Sequence, residues 1–325
     1  MTMLAAFYER CGPSHEVLAV EEIPRPEPGA GEVLVRLRLS GVNPTDWKAR
    51  AKYEPEFAFQ VPNQDGVGVV EAVGDGVDES RVGERVWVYF AAWRRQWGTA
   101  AQWTVVPADQ AVPLPEGASD ELGASLGIPA LTAHRCLFAD GPVSGLTVLV
   151  AGGAGAVGHA AIELARWGGA RVIATVSTEK KAELARAAGA EAVVDYRRED
   201  AAEAIREAAP AGVDRVVEVS PAGNLDLDLE VCAPGATIGA YATDGGAEAP
   251  LPFMRLMRMN TTFRFVLVYT MPSPALRRAI AEVGEAVQEG ALTALPVHRY
   301  ALERIADAHD AVEQGAVGKV VVDIP

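Results

Sequence analysis

Cysteine is nearly absent from this chain: Cys11, Cys136 and Cys232 are the only three in 325 residues. Three cannot pair completely, and none stands in a C-x-x-C spacing, so neither a disulfide framework nor a structural zinc is expected. Free cysteine is usually a small buried hydrophobe. Positive charge is also short: 29 Lys and Arg against 44 Asp and Glu leave a net charge of −15. That balance argues against the clustered cations a sequence-independent nucleic-acid surface needs, and Arg94-Arg95, Arg197-Arg198 and Arg277-Arg278 are scattered pairs. No apolar run reaches membrane-spanning length. Residues 1–10 lack a basic region followed by a long apolar core, so no signal peptide is expected. A cytoplasmic protein with neither membrane nor nucleic-acid partner is the simplest expectation. With 49% hydrophobic residues, the chain can bury a large core and is expected to form two domains.

What is present is a glycine-rich turn in a specific setting. The apolar run Val148-Leu149-Val150 meets Gly152-Gly153-Ala154-Gly155-Ala156-Val157-Gly158, followed by the helix-like His159-Ala160-Ala161-Ile162-Glu163-Leu164-Ala165-Arg166. Gly153, Gly155 and Gly158 fit G-x-G-x-x-G between a strand pattern and a helix pattern, the context the dinucleotide-binding motif requires. The first glycine is expected to make the tight turn, the second to admit pyrophosphate, and the third to let helix and strand approach. The helix N-terminus supplies N–H groups and a positive dipole.

The next strand, Arg171-Val172-Ile173-Ala174-Thr175-Val176, points to the cofactor. A site for NAD usually has an acid at this strand end for the ribose 2′-hydroxyl. Here Ser177 stands there, with Lys180 and Lys181 close behind. A hydroxyl and cations suit a 2′-phosphate, so NADPH is expected over NADH. The alternative is that Glu179, Lys180 and Lys181 are only the solvated start of a helix.

The first third reads as β-rich. Val33-Leu34-Val35-Arg36-Leu37-Arg38-Leu39 alternates at its far end, and residues 66–74, 85–89 and 102–107 are further strand-like runs between Gly, Pro and Asp. From about Asp120 helix and strand patterns alternate, the mark of a doubly wound parallel sheet. The sequence then closes on another strand pattern, Lys319-Val320-Val321-Val322-Asp323-Ile324. The β-rich start and this end are expected to share a domain into which the nucleotide fold is inserted.

Four further segments carry a family likeness: Ser40-Gly41-Val42-Asn43-Pro44-Thr45-Asp46, Asn63-Gln64-Asp65-Gly66-Val67-Gly68-Val69-Val70, Gly127-Ile128-Pro129-Ala130-Leu131-Thr132-Ala133 and Gly318-Lys319-Val320-Val321. In this order the chain resembles the zinc-independent branch of the medium-chain dehydrogenase/reductase superfamily, near the NADPH:quinone reductases of the zeta-crystallin type. The resemblance implies an α/β fold: a GroES-like β-rich catalytic domain from residues 1–123 and 269–325, and a Rossmann doubly wound domain at 124–268. Where zinc-dependent relatives place a Cys ligand this chain has Asn43, and His134, His159, His298 and His309 fall in other segments, so no metal is expected.

The resemblance also implies site residues. Pyrophosphate would meet Ala154, Gly155, Ala156 and Val157; the 2′-phosphate would meet Ser177 and Lys181, with Tyr196 beside it. Gly239, Ala240, Tyr241 and Ala242 would follow a strand at the ligand-binding edge, and Thr132, Val266, Leu267 and Val268 would lie near the nicotinamide. Asn43 and Tyr53 would face it from the other domain. Tyr53 is the candidate to hydrogen-bond the acceptor oxygen, or else a packed aromatic. Asn43 would hold ribose or substrate carbonyl, or merely cap its own loop. Asp46 is read as stabilising that turn.

The segment from Trp87 to Gly98 is aromatic-rich for a chain with 6% aromatics. Trp87 reads as core, whereas Trp93 and Trp97, flanking two arginines, could stack on a flat substrate. A small-molecule quinone is the expected acceptor. The alternatives are an enone, alkenal or enoyl thioester reduced at its conjugated C=C bond, or an NADPH-binding protein with little turnover. Residues 263–268 form an apolar strand pattern that could pair with its copy in a homodimer.

Overall fold

Strand patterns that alternate with helix patterns after residue 120 become one parallel sheet, and those before it become an antiparallel one. The structure is a computed structural model describing residues 1–325. Contacts divide the chain into two compact units, Met1–Ile128 with Ala294–Pro325, and Pro129–Thr293. In chain order the strands are β1 (Thr2–Phe7), β2 (Ala19–Pro24), β3 (Glu32–Val42), β4 (Asp65–Val73), β5 (Arg85–Val88), β6 (Trp103–Pro107), β7 (Ala111–Pro113) and β8 (Thr147–Ala151). They continue with β9 (Arg171–Val176), β10 (Ala192–Asp195), β11 (Val213–Glu218), β12 (Cys232–Ala240), β13 (Thr262–Phe265), β14 (Val297–Ala301) and β15 (Lys319–Asp323).

The first unit holds a seven-stranded sheet ordered β14-β15-β3-β4-β5-β7, with β6 also pairing β3, and a separate β1-β2 pair. In β3 the buried Leu37 and Leu39 alternate with the exposed Arg36 and Arg38, as a half-solvated strand should. β15 runs antiparallel to β3 with Val320 opposite Val42. The strand β15 is thereby built into the β-rich unit.

The second unit is a six-stranded sheet ordered β10-β9-β8-β11-β12-β13, parallel throughout. β8 is buried along its whole length and apolar from Val148 onward, because both its faces are covered. Leu149, Ile173, Val216 and Ile238 from four adjacent strands pack with Ile205 and Leu229 from the covering helices. The order of connection reverses between β8 and β11. Ligands of open parallel sheets bind in the crevice beyond the strand ends at such a point.

Both boundaries differ from the expected 123/124 and 268/269. Residues 124–128 stay with the first unit because the Ile128 N–H donates to both oxygens of Asp65 (2.9 and 3.1 Å). Residues 269–293 stay with the second. There Glu282 on the helix Ser273–Gln288 meets His134 at 2.6 Å, Trp167 donates to Glu289 at 2.7 Å, and the Thr293 N–H donates to Glu163 at 3.0 Å. The apolar run read as a strand through residue 268 also stops sooner: β13 ends at Phe265, and a short helical turn occupies Val268–Thr270. Its partner β12 ends at Ala240, so the ladder has nothing further to pair with once the Val266 N–H reaches the Ala240 carbonyl (2.8 Å).

Candidate functional site

β8 delivers the chain into the glycine turn, and the helix Ala156–Trp167 leaves it. The left-handed residue of the turn is Gly152 (φ +71°), one before the first glycine of the motif. Gly153 is needed for packing instead: a Cβ there would lie 2.8 Å from Ala174 Cβ and 3.0 Å from Ile162 Cδ1. At Gly158 a Cβ would collide with the Gly152 carbonyl, so the third glycine does bring helix and turn together. Gly155 differs, since a Cβ there meets only the Gly152 oxygen, at 3.4 Å. Beside this open face, the N–H groups of Ala154, Ala156, Val157 and Gly158 reach no backbone acceptor. Free N–H groups at the start of a 12-residue helix form a ready anion cradle.

The carboxyl ends of β9 and β10 bring three more expected residues together. Lys181 Nζ donates to Ser177 Oγ at 3.1 Å, and the Tyr196 N–H donates to the Val176 carbonyl at 3.2 Å. Thr178 caps the following helix through its hydroxyl, which accepts the Lys181 N–H. Glu179, the carboxylate most able to repel a phosphate, is turned away and paired with Arg186 at 2.6 Å. Asp195 is engaged by Arg197 at 2.6 and 2.9 Å, which holds its carboxyl down to about 2.

Beyond β11 and β12 lie the other residues of this unit. Gly239 packs on the helix Leu131–Phe138, where a Cβ would sit 3.2 Å from Cys136 Cβ, and Thr132 is buried in that helix. The Tyr241 N–H donates to the Glu218 carbonyl at 3.0 Å, which fixes the exit of β12 to the end of β11. Ala240, Val266 and Val268 are buried, Tyr241 and Ala242 are half-buried, and Leu267 is exposed.

In the first unit the segment read as a turn starts a helix, Pro44–Lys52, with Asn43 before it and Pro44 at its first position. The Asn43 N–H is capped by Asp46 Oδ2 (2.7 Å), so Asp46 does hold the turn. The Asn43 side chain takes part in a capping box with Asp46 and also reaches beyond its own loop. Its Nδ2 donates to Asp65 Oδ2 (2.8 Å) and its Oδ1 accepts from Lys319 Nζ (2.7 Å), with 1% of the residue exposed. Ammonium only donates and carboxylate only accepts, so the amide has a single orientation. Burial pushes Asp46 up to about 8, helped by the Asp65 charge, and pushes Asp65 up to about 6 against the pull of Lys319. Lys319 is itself pushed down by burial. Tyr53 ends this helix 68% exposed.

Asp65 and Lys319 were missed as members of this cluster, although both stood in the motifs Asn63-Gln64-Asp65 and Gly318-Lys319; spacing along the chain does not show that β15 lies beside β3. Trp87 is buried, as read. Trp97 packs edge-on to Phe59 with ring centres 5.6 Å apart, so it serves the core, while half-buried Trp93 lies under the Arg94 guanidinium at 5.6 Å. No group of three or more His, Cys, Asp or Glu side chains is placed to hold a metal ion, and no helix is long and apolar enough to cross a membrane.

An antiparallel β-rich unit joined to a parallel sheet with an anion cradle at its reversal point defines a dinucleotide-binding oxidoreductase architecture. Residues 29–116 match the alcohol dehydrogenase GroES-like domain, and residues 156–285 match the zinc-binding dehydrogenase family. A mycobacterial quinone oxidoreductase structure superposes with a TM-score of 0.86 at 33% identity, covering 99% of each chain. A second mycobacterial structure, described as complexed with NADPH, gives a TM-score of 0.85 at 32% identity and covers 99% of each chain. The quinone oxidoreductase of Rattus norvegicus is 28% identical over 323 residues, 97% of this chain and 95% of that protein. The chain belongs to the medium-chain dehydrogenase/reductase superfamily and is similar to its quinone oxidoreductases.

Two predictions follow from this geometry. Gly158→Ala should lower folding stability by about 1–3 kcal/mol in denaturant unfolding, the usual cost of overpacking. Gly155→Ala should leave it within about 0.5 kcal/mol, as at sites free of such features; equal losses at both would show that the open face at Gly155 is misdescribed. For Asp46, an acid raised in the folded state binds its proton more tightly folded than unfolded, so its contribution to stability falls as pH rises from about 4 to about 8. Asp46→Asn should therefore flatten the fall in thermal midpoint between pH 5 and 8. A slope identical to that of the parent chain would refute the burial assignment.

Proposed function

We propose that the chain is an NADPH-dependent reductase that transfers hydride to a quinone. The grouping of Ser177, Lys181 and Tyr196 at the ends of β9 and β10, with Glu179 drawn off by Arg186, carries this reading. The pyrophosphate would rest on the backbone from Ala154 to Val157, with the N–H groups of Ala154, Ala156 and Val157 free to donate and that of Gly155 already given to the Gly152 carbonyl (2.9 Å), and the 2′-phosphate on the Ser177 hydroxyl and Lys181 ammonium. Thr132, Gly239 to Ala242 and Val266 to Val268 would line the nicotinamide. When bound, the cofactor supplies the hydride, and the protein's task is alignment and exclusion of competing reactions.

Tyr53 is proposed to hydrogen-bond the acceptor oxygen, because its exposure leaves the hydroxyl available. Asn43, expected to hold ribose or substrate carbonyl, has its amide committed to Asp65 and Lys319 and is 1% exposed, so a direct ligand contact is not proposed for it. Reduced quinone oxygens can take protons from water or Tyr53, so no obligatory acid is required. Similarity to quinone oxidoreductases over nearly the whole chain supports the choice of acceptor.

We also propose a homodimer formed by β13. It is an edge strand whose Phe265 is 75% exposed, and Leu267 just beyond it is 55% exposed. A second copy would satisfy the free ladder groups and cover these side chains at once.

The central test is a stopped-flow panel of NADPH oxidation against small quinones, enals and enoyl thioesters, with chelator present. Quinone turnover is expected to dominate. Preference for a conjugated C=C bond would reassign the acceptor, and no oxidation of NADPH with any of them would leave a binding protein. For assembly, sedimentation should give a dimer for the parent chain and a monomer for Phe265→Glu; a monomeric parent would rule the interface out.

A further inference from the structure

Tyr196 stands between an acid and an arginine, and the backbone gives that acid a use. β10 ends at Asp195, whose Cα pairs with that of Val176 on β9, the residue before Ser177. Neighbouring strands lie about 4.8 Å apart, so Asp195 stands one strand over from Ser177 and the Lys181 ammonium bonded to it. Asp195 Oδ1 accepts the Arg197 N–H at 3.0 Å, an Asx turn that leads the chain off the strand while the Tyr196 N–H stays on the Val176 carbonyl.

A carboxylate in this place is a liability for a phosphorylated ligand. Its side chain is 32% exposed and, held down to about 2, is charged at any working pH. A strand spacing is well inside the Debye length of about 8 Å, so salt alone does not hide that charge. Arg197 answers it with a fork: Nε donates to Oδ1 at 2.9 Å and Nη2 to Oδ2 at 2.6 Å, which occupies both oxygens. Arg198 does not share the task, because it forks onto Asp200. On the β9 side Arg186 draws off Glu179. Lys181, by contrast, bonds the Ser177 hydroxyl and no carboxylate. In a chain of net charge −15, the two acids flanking Ser177 are thus each given an arginine, and the lysine is left uncommitted.

We propose that Arg197 is a specificity-determining residue for the phosphorylated cofactor, acting through Asp195 and not on the nucleotide: it keeps the turn-forming carboxylate of β10 from opposing the 2′-phosphate. The proposal rests on the NADPH reading. A ribose 2′-hydroxyl carries no charge for Asp195 to repel, so the fork bears on NADPH and leaves NADH alone.

The test is calorimetric binding of NADPH and of NADH, without any acceptor, to the parent chain and its variants. Arg197→Ala uncovers Asp195 and should weaken NADPH by about 3- to 10-fold, the scale of one unscreened surface charge acting within a Debye length, with NADH unchanged within about twofold. Adding Asp195→Asn removes the second charge while the amide oxygen still accepts the turn N–H, and should return NADPH to within about twofold of the parent chain. Arg197→Gln gives the same readout should the alanine variant fail to fold. An Arg197→Ala chain that binds NADPH as the parent does overturns the proposal, as does equal weakening of both nucleotides, which marks a structural role. A double variant as weak as the single one overturns it too, since Arg197 would then touch the phosphate itself. A parent chain that binds NADPH no more tightly than NADH would sink the cofactor reading and this proposal with it; the other failures leave that reading in place.

Discussion

The approach of one helix to the turn that feeds it is the constraint on which the nucleotide unit depends. The helix Ala156–Trp167 can begin where it does only because Gly158 has no side chain to strike the Gly152 carbonyl. Gly153 in turn lets the chain run beside Ala174 on β9. With both contacts made, the first-turn N–H groups gather at the point where the sheet reverses, and the space beside Gly155 stays open. Peptide groups left unsatisfied there would be costly if merely buried. Facing an anion, they become the binding surface, so the packing and the chemistry have one cause.

The β-rich unit is organised around charge rather than around missing side chains. Asp46, Asp65 and Lys319 are all buried, and each would be expensive alone. Asp65 is spent on three partners: the Asn43 amide, the Ile128 N–H and the charge of Lys319. A second chain of bonds supports it from behind. His309 meets Asn63 Oδ1 at 3.0 Å, Asn63 Nδ2 donates to Ser40 at 2.9 Å, Ser40 and Thr99 are 2.7 Å apart, and Thr99 donates to the Asp65 carbonyl at 2.6 Å. Asn63 adopts a left-handed φ of +74° within this network. Burial holds His309 neutral, down at about 3, so its ring serves as a fixed polar strut. The network is not fully partnered, since His309 Nδ1 and Asp46 Oδ1 are buried without a partner, which costs part of what the other bonds contribute.

How much was legible depended on whether a feature is local. The glycine turn and most of the parallel strands lie within short windows where period and turn chemistry act, and the sequence reading located them. The helix Pro44–Lys52 was missed, because a Pro at its first position reads equally as a turn and its apolar face is weak. The unit boundaries were misplaced for a different reason: the helix Ser273–Gln288 belongs to the second unit through His134 and Trp167, more than a hundred residues earlier. Lys319 illustrates the same limit. A lysine before three valines looks like an exposed strand end until β15 pairs with β3 and buries it beside Asn43.

The molecule buries carboxylates in two ways, and the difference bears on where each can act. In the β-rich unit the charge of Asp65 is answered by a fixed cation, which keeps the amide of Asn43 oriented while Asp65 stays charged. At the end of β11, Oε2 of Glu218 and Oδ2 of Asp228 are buried without a partner, and burial pushes both carboxyls up toward the neutral form. A bare carboxylate pair would repel the anions that the N–H cradle is shaped to receive. Burial that favours the neutral carboxyls keeps negative charge low near the glycine turn, where the helix N–H dipoles favour a phosphate.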